Sequence, residues 1–144
     1  MPDTSTGSTA YEVSLSGFLH FRPLVEALEK NTAGEICQRT GQALAPGADD
    51  RERLKALHQL AGVGPRVASA LLHIAFLPGA APYPILDKNA LRALGCDKAP
   101  VSDYGLWTPY VAYCRQLARE ADVDMRTLDR ALWAYGRRLG RPRG

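Results

Sequence analysis

The clearest chemistry in this chain lies in Leu60-Ala-Gly-Val-Gly-Pro-Arg-Val-Ala-Ser69. Gly62 and Gly64, two apart, let the backbone turn tightly and bring main-chain N–H groups to a ligand with no side chain in the way. Pro65 suits the first turn of a helix, where the N–H it lacks would be unpaired anyway. That helix aims its unpaired amides and positive dipole end at the same spot, an anion site well suited to a phosphate. Arg66 follows at once and can add a charged fork to a neighbouring phosphate. Val63, between the glycines, is expected to turn inward and join the flanking helices. The competing reading is a plain corner whose glycines only permit close packing. The basic residue just after the proline and the apolar helices on both sides favour phosphate contact.

The elements around this turn read as helices. Asp49, with Glu52 three residues on, has the reciprocal pattern of a helix N-cap. The helix it opens, 50–60, puts Leu54, Leu57 and Leu60 on one stripe. The second, from Pro65, is densely apolar and ends before Pro78-Gly79, with small residues at 68–70 for close approach. A proline-rich loop, 78–84, leads to Asp87, which opens a short helix through Leu94 with Gly95 as its stop. Thr108-Pro109 opens another, with Tyr110, Val111, Cys114 and Leu117 at helical spacing. Asp124 opens the last, with Leu128, Leu132, Tyr135 and Leu139 on one face. Ahead of the hairpin, Phe18 to Leu28 and Glu35 to Leu44 give weaker helical signals. Trp107, Tyr110, Trp133 and Tyr135 fall at helical spacing and are read as core, and His73 as a buried histidine. Tyr83, flanked by prolines before Asp87, is the aromatic best placed to line a pocket, with plain packing as its other reading. No strand-like alternation occurs. The expected fold is all-α, a compact bundle of six or seven short helices containing a helix-hairpin-helix at 50–77.

A length of 144 residues suits a single core. Residues 1–15 are small and polar and read as a flexible leader. The helical domain is expected over 16–140, with a basic tail at 141–144. The net charge of +3 is mild, but its distribution is not. Arg126, Arg130, Arg137, Arg138, Arg141 and Arg143 face one acid, Asp129, so this end attracts polyanions. Arg137 and Arg138 therefore join the candidate DNA-binding residues. Three cysteines, Cys37, Cys96 and Cys114, form no C-x-x-C pair, so a zinc ribbon or a four-cysteine iron-sulfur cluster is excluded on ligand count. No metal or other cofactor is expected. Free thiols, no signal-peptide pattern and no apolar run of membrane length point to a soluble cytoplasmic protein with no membrane partner.

Residues 50–77 resemble the helix-hairpin-helix of DNA repair proteins. The following segment, Tyr83-Pro-Ile-Leu-Asp-Lys-Asn-Ala-Leu-Arg-Ala-Leu94, resembles the one beyond the hairpin in base-excision DNA glycosylases of the endonuclease III type, the HhH-GPD superfamily. The resemblance spans residues 50–94. It implies that Gly62, Val63, Gly64 and Arg66 hold the DNA backbone. It also implies that Asp87, 21 residues after Arg66, is the aspartate that stabilises the sugar cation or activates water. Bifunctional members carry a lysine in the hairpin's second helix, and Arg66 stands there, so the resemblance implies a monofunctional enzyme if it is catalytic at all. Chemistry on a base inside a duplex needs a pocket that holds it flipped out, and few residues precede the hairpin to build one. The functional expectation is sequence-independent DNA binding in a glycosylase-like protein. The alternatives are a non-catalytic DNA-binding module and a helical protein-interaction domain.

Overall fold

Four helix starts are set by a side chain that accepts a backbone N–H, the bond that replaces a missing intrahelical partner. Thr32 caps α1 (Ala33–Leu44), Asp49 caps α2 (Asp50–His58), Asp87 caps α4 (Lys88–Ala93) and Asp124 caps α6 (Met125–Leu139). Thr32 with Glu35, and Asp49 with Glu52, form reciprocal capping boxes. The first of these starts α1 two residues earlier than its apolar pattern suggests. Between α2 and α4 runs α3 (Pro65–Phe76), capped by Gly64 without a side chain, and α5 (Tyr104–Glu120) precedes α6. The computed structural model describes residues 23, 25–99 and 104–142, and among these every regular element is helical. The fold is all-α, as expected. The proposed leader lies outside the described residues, as do 143 and 144 of the tail.

The core gathers the α2 stripe Leu54 and Leu57 with Leu60, Leu72, Leu86, Leu91, Trp107 and Val111. Trp107 is fully buried, stacks on Tyr83 at 5.8 Å and donates its indole N–H to the Asp50 carbonyl at 2.6 Å. That bond ties α5 to the first turn of α2. It also explains why α5 starts by Tyr104 rather than at Thr108-Pro109: packing of Trp107 holds the first turn helical although Pro109 lacks an N–H. No described helix is long and apolar enough to cross a membrane.

Three residues of α6 depart from the sequence reading: Trp133, Tyr135 and Leu139. Met125, Leu128 and Gly136 are buried and Leu132 is half-buried. Trp133, Tyr135 and Leu139 are 40%, 52% and 50% exposed. The helix packs on α4 and α5 through one strip only. A helical period marks apolar positions but does not say how wide a strip its partners cover.

Candidate nucleic-acid interface

The hairpin turn begins where α2 ends. Val63 donates its N–H to the Leu60 carbonyl at 3.1 Å and buries its side chain between the helices, as its position predicts. The two glycines have different jobs. Gly62 adopts φ +79°, and a Cβ there would lie 3.0 Å from the Ala27 Cβ and 3.1 Å from the Leu28 nitrogen. It is required on both counts, conformation and space. Gly64 has φ −80° and ψ 178°, an ordinary cap conformation, and a Cβ there would meet no atom within 4 Å. Gly62 is turned toward the fold and Gly64 toward open space. The carbonyl of Gly64 takes the Ala68 N–H at 2.9 Å. Among the described residues, the first amides of α3, those of Arg66 and Val67, have no acceptor, as the geometry of a helix start requires.

The inner side of the turn is clamped by a residue that sequence reasoning missed. Asn31 accepts the Ala61 N–H at 2.8 Å and donates to the Ala61 carbonyl at 2.9 Å, so one amide side chain satisfies both polar groups of a turn residue. Nothing near Asn31 in sequence announces a contact thirty residues away.

Asp87 is placed by the loop before it. His73 donates from Nδ1 to the Tyr83 carbonyl at 2.7 Å, and Tyr110 donates its hydroxyl to the Ile85 carbonyl at 2.8 Å. Ile85 and Leu86 donate their N–H groups to Asp129 Oδ1 at 3.1 Å and Ser69 Oγ at 2.8 Å. Helices α3, α5 and α6 thus hold this loop extended, and Asp87 emerges from it only 8% exposed. Its Oδ1 accepts the Asn89 N–H at 2.7 Å, and its Oδ2 lies 3.2 Å from Arg66 Nε. Arg66 keeps 70% of its side chain in solvent.

Beside this pair opens a recess of about 520 Å³ lined by Arg66, Leu86, Asp87, Lys88, Asn89 and Arg92. Three of its residues are cationic, and none is aromatic. Arg92 donates to Asn89 Oδ1 at 3.1 Å and to the Gly136 carbonyl at 3.3 Å, joining the recess to the end of α6. Arg137 and Arg138 stand exposed on that last turn, with the Arg137 guanidinium 5.1 Å from the centre of the Trp133 ring. The structure therefore brings Arg66 into direct contact with Asp87. Arg137 and Arg138 it leaves on a neighbouring helix.

Other candidates prove structural. Tyr83 is a packing residue: its ring is buried between Trp107, Phe76 and the Arg115 guanidinium, and its hydroxyl donates to Asp50 Oδ1 at 2.6 Å. Burial and that bond to a carboxylate push the phenol above its ordinary pKa. His73 is buried, as read from its helix, and His58 pairs with the Tyr104 hydroxyl. Cys37 and Cys96 are exposed thiols, while burial pushes the Cys114 thiol up to about 12. A thiol so placed supplies no thiolate at neutral pH. Among the described residues, no three His, Cys, Asp or Glu side chains gather as a metal site would need. Comparison of the chain with models of protein families, with curated proteins and with solved structures finds no match.

Proposed function

We propose that this chain binds duplex DNA without regard to sequence, by setting the turn from Gly62 to Arg66 against the phosphate backbone. The observation that carries this reading is the open face of Gly64. A phosphate oxygen can approach there as closely as backbone atoms allow, with the amides of Arg66 and Val67 pointing at it from the start of a 12-residue helix. Arg66, mostly in solvent, supplies the adjoining charge. Such contacts position a protein on DNA and read no base edge.

Binding rather than base excision is the function we assign. An aspartate that meets a sugar cation needs a free carboxylate oxygen and a walled pocket for the base. Here one oxygen of Asp87 caps α4, the other pairs with Arg66, and the recess beside them is polar without an aromatic wall.

Titration of labelled duplexes of unrelated sequence, at several salt concentrations, tests the proposal. Equal affinities that fall steeply with salt are expected, with a Gly64→Val protein weakened more than an Arg66→Ala one. A folded Gly64→Val protein that binds duplex as tightly as the parent overturns it.

A further inference from the structure

The exposed side of α6 carries a pattern that the hairpin does not use. Arg126, Arg130, Trp133 and Arg137 follow one another at spacings of four, three and four residues, which places them on one stripe of the helix. All four are exposed, over a rise of about 16 Å. The one acid of the helix, Asp129, directs Oδ1 inward to the Ile85 N–H. The Arg137 guanidinium lies over the Trp133 ring, and 40% of that residue stays in solvent.

We propose that this stripe binds single-stranded nucleic acid, with Trp133 stacking on an unpaired base and Arg126, Arg130 and Arg137 holding the phosphates on either side of it. A ring between guanidinium groups matches the alternation of a strand, whose bases are flat and whose linkers are anionic. A duplex hides the faces of its bases, so the ring finds a partner only where the strand is unpaired. An anionic lipid surface would also attract the arginines, but a helix lying on a membrane needs a broad apolar face. The buried strip of α6 packs on α4 and α5, and its other exposed apolar residues, Tyr135 and Leu139, lie away from the stripe, about 200° and 240° round from Trp133. The stripe is a second surface, separate from the hairpin turn.

The chain has two tryptophans, and Trp107 is fully buried with its N–H bonded, so Trp133 is the one that reports on solvent. Adding oligo(dT) to the full chain is expected to quench the long-wavelength part of its emission. A DNA dumbbell closed by non-nucleotide linkers at both ends should leave it unchanged. Trp133→Leu should abolish the quench and weaken oligo(dT) binding about tenfold by anisotropy. Arg126→Gln, Arg130→Gln and Arg137→Gln together should lower the salt slope by about 2. Because these side chains are exposed, unchanged melting temperatures are expected for the variants. Gly64→Asp, which disables the hairpin, should leave the quench intact, so the two surfaces can fail separately. Absence of a quench, an equal quench by the dumbbell, or a quench that survives Trp133→Leu overturns the proposal. So does a blue shift with phosphatidylserine vesicles in place of a response to oligo(dT).

Discussion

Arg66 Nε stands 3.2 Å from Asp87 Oδ2, so the guanidinium that heads α3 is held by the carboxylate that caps α4. The two residues are unequal partners: 70% of the arginine side chain is exposed and 11% of the aspartate's. An ion pair this open contributes at most about 1 kcal/mol to stability. Its consequence is aim. The Arg66 guanidinium is held toward the start of α4, and the loop pinned by Ser69, Tyr110 and Asp129 fixes the carboxylate it meets.

Asp87→Asn separates the two roles open to this carboxylate. Asparagine is among the best N-cap residues, so the variant should lose less than about 1 kcal/mol of stability. It removes a negative charge beside the proposed phosphate path and releases Arg66. Duplex affinity at low salt should therefore rise, by about fivefold or less. Anisotropy titrations check this. A damaged duplex from which the parent releases a base and Asp87→Asn does not would instead make Asp87 catalytic.

On the resemblance to base-excision glycosylases drawn from the sequence, Arg66 falls where bifunctional members carry the Schiff-base lysine. A guanidinium stays protonated throughout the working pH range and cannot attack a sugar aldehyde. Borohydride added to the protein with abasic-site DNA should trap no covalent adduct. An adduct would point to Lys88, the amine that lines the recess.

Much of this candidate site was legible because local rules govern it. Asp49 with Glu52, Asp87 and Asp124 announce helix starts, and each caps as its type and spacing suggest. Gly62, Val63 and Pro65 likewise behave as their positions require. Long-range partners leave no such mark. Asn31 on Ala61, Asp50 gathering Tyr83 and Trp107, and Arg92 on Gly136 join residues far apart in sequence, and no periodicity encodes them. Trp133 and Tyr135 show the same gap from the other side. Their apolar character suggested burial, but whether a neighbour covers them depends on how the helices pack.

Asp129 gives the fold a pH dependence of definite sign. Burial raises its pKa above the ordinary 3.8, outweighing the Ile85 N–H bond and the pull of His73 and Arg126. A carboxyl raised in the folded state contributes stability that is complete below pH 3.8 and lost as pH rises through its folded value. Asp129→Asn can still accept the Ile85 N–H and has no charge to bury. It should melt higher than the parent at pH 7, and the gap should close as pH falls below 3.8. Thermal melts at several pH values decide. A gap that ignores pH, or an asparagine variant that is weaker at neutral pH, contradicts the assignment.

Gly64 and Gly136 should respond to substitution in opposite ways. At Gly136 a Cβ would lie 1.6 Å from the Asn89 carbonyl oxygen and 2.4 Å from its carbon, so α4 would have to move as backbone. Gly136→Ala should destabilise the chain by about 3 kcal/mol, the upper range for overpacking. Because Asp87 caps α4 and holds Arg66, DNA binding should weaken along with stability. At Gly64 the space is empty and the conformation is that of a cap. Gly64→Asp gives the Arg66 and Val67 amides an internal acceptor, which should stabilise α3 by about a few tenths of a kcal/mol. The same carboxylate occupies the place proposed for a phosphate and repels it. The variant should melt no lower than the parent and bind duplex at least about tenfold more weakly, the size of one lost charge-assisted hydrogen bond. A Gly64→Asp protein with unchanged duplex affinity would remove the hairpin from the interface. A loss of binding that came with a loss of fold would mean that Gly64 serves packing, as Gly136 does.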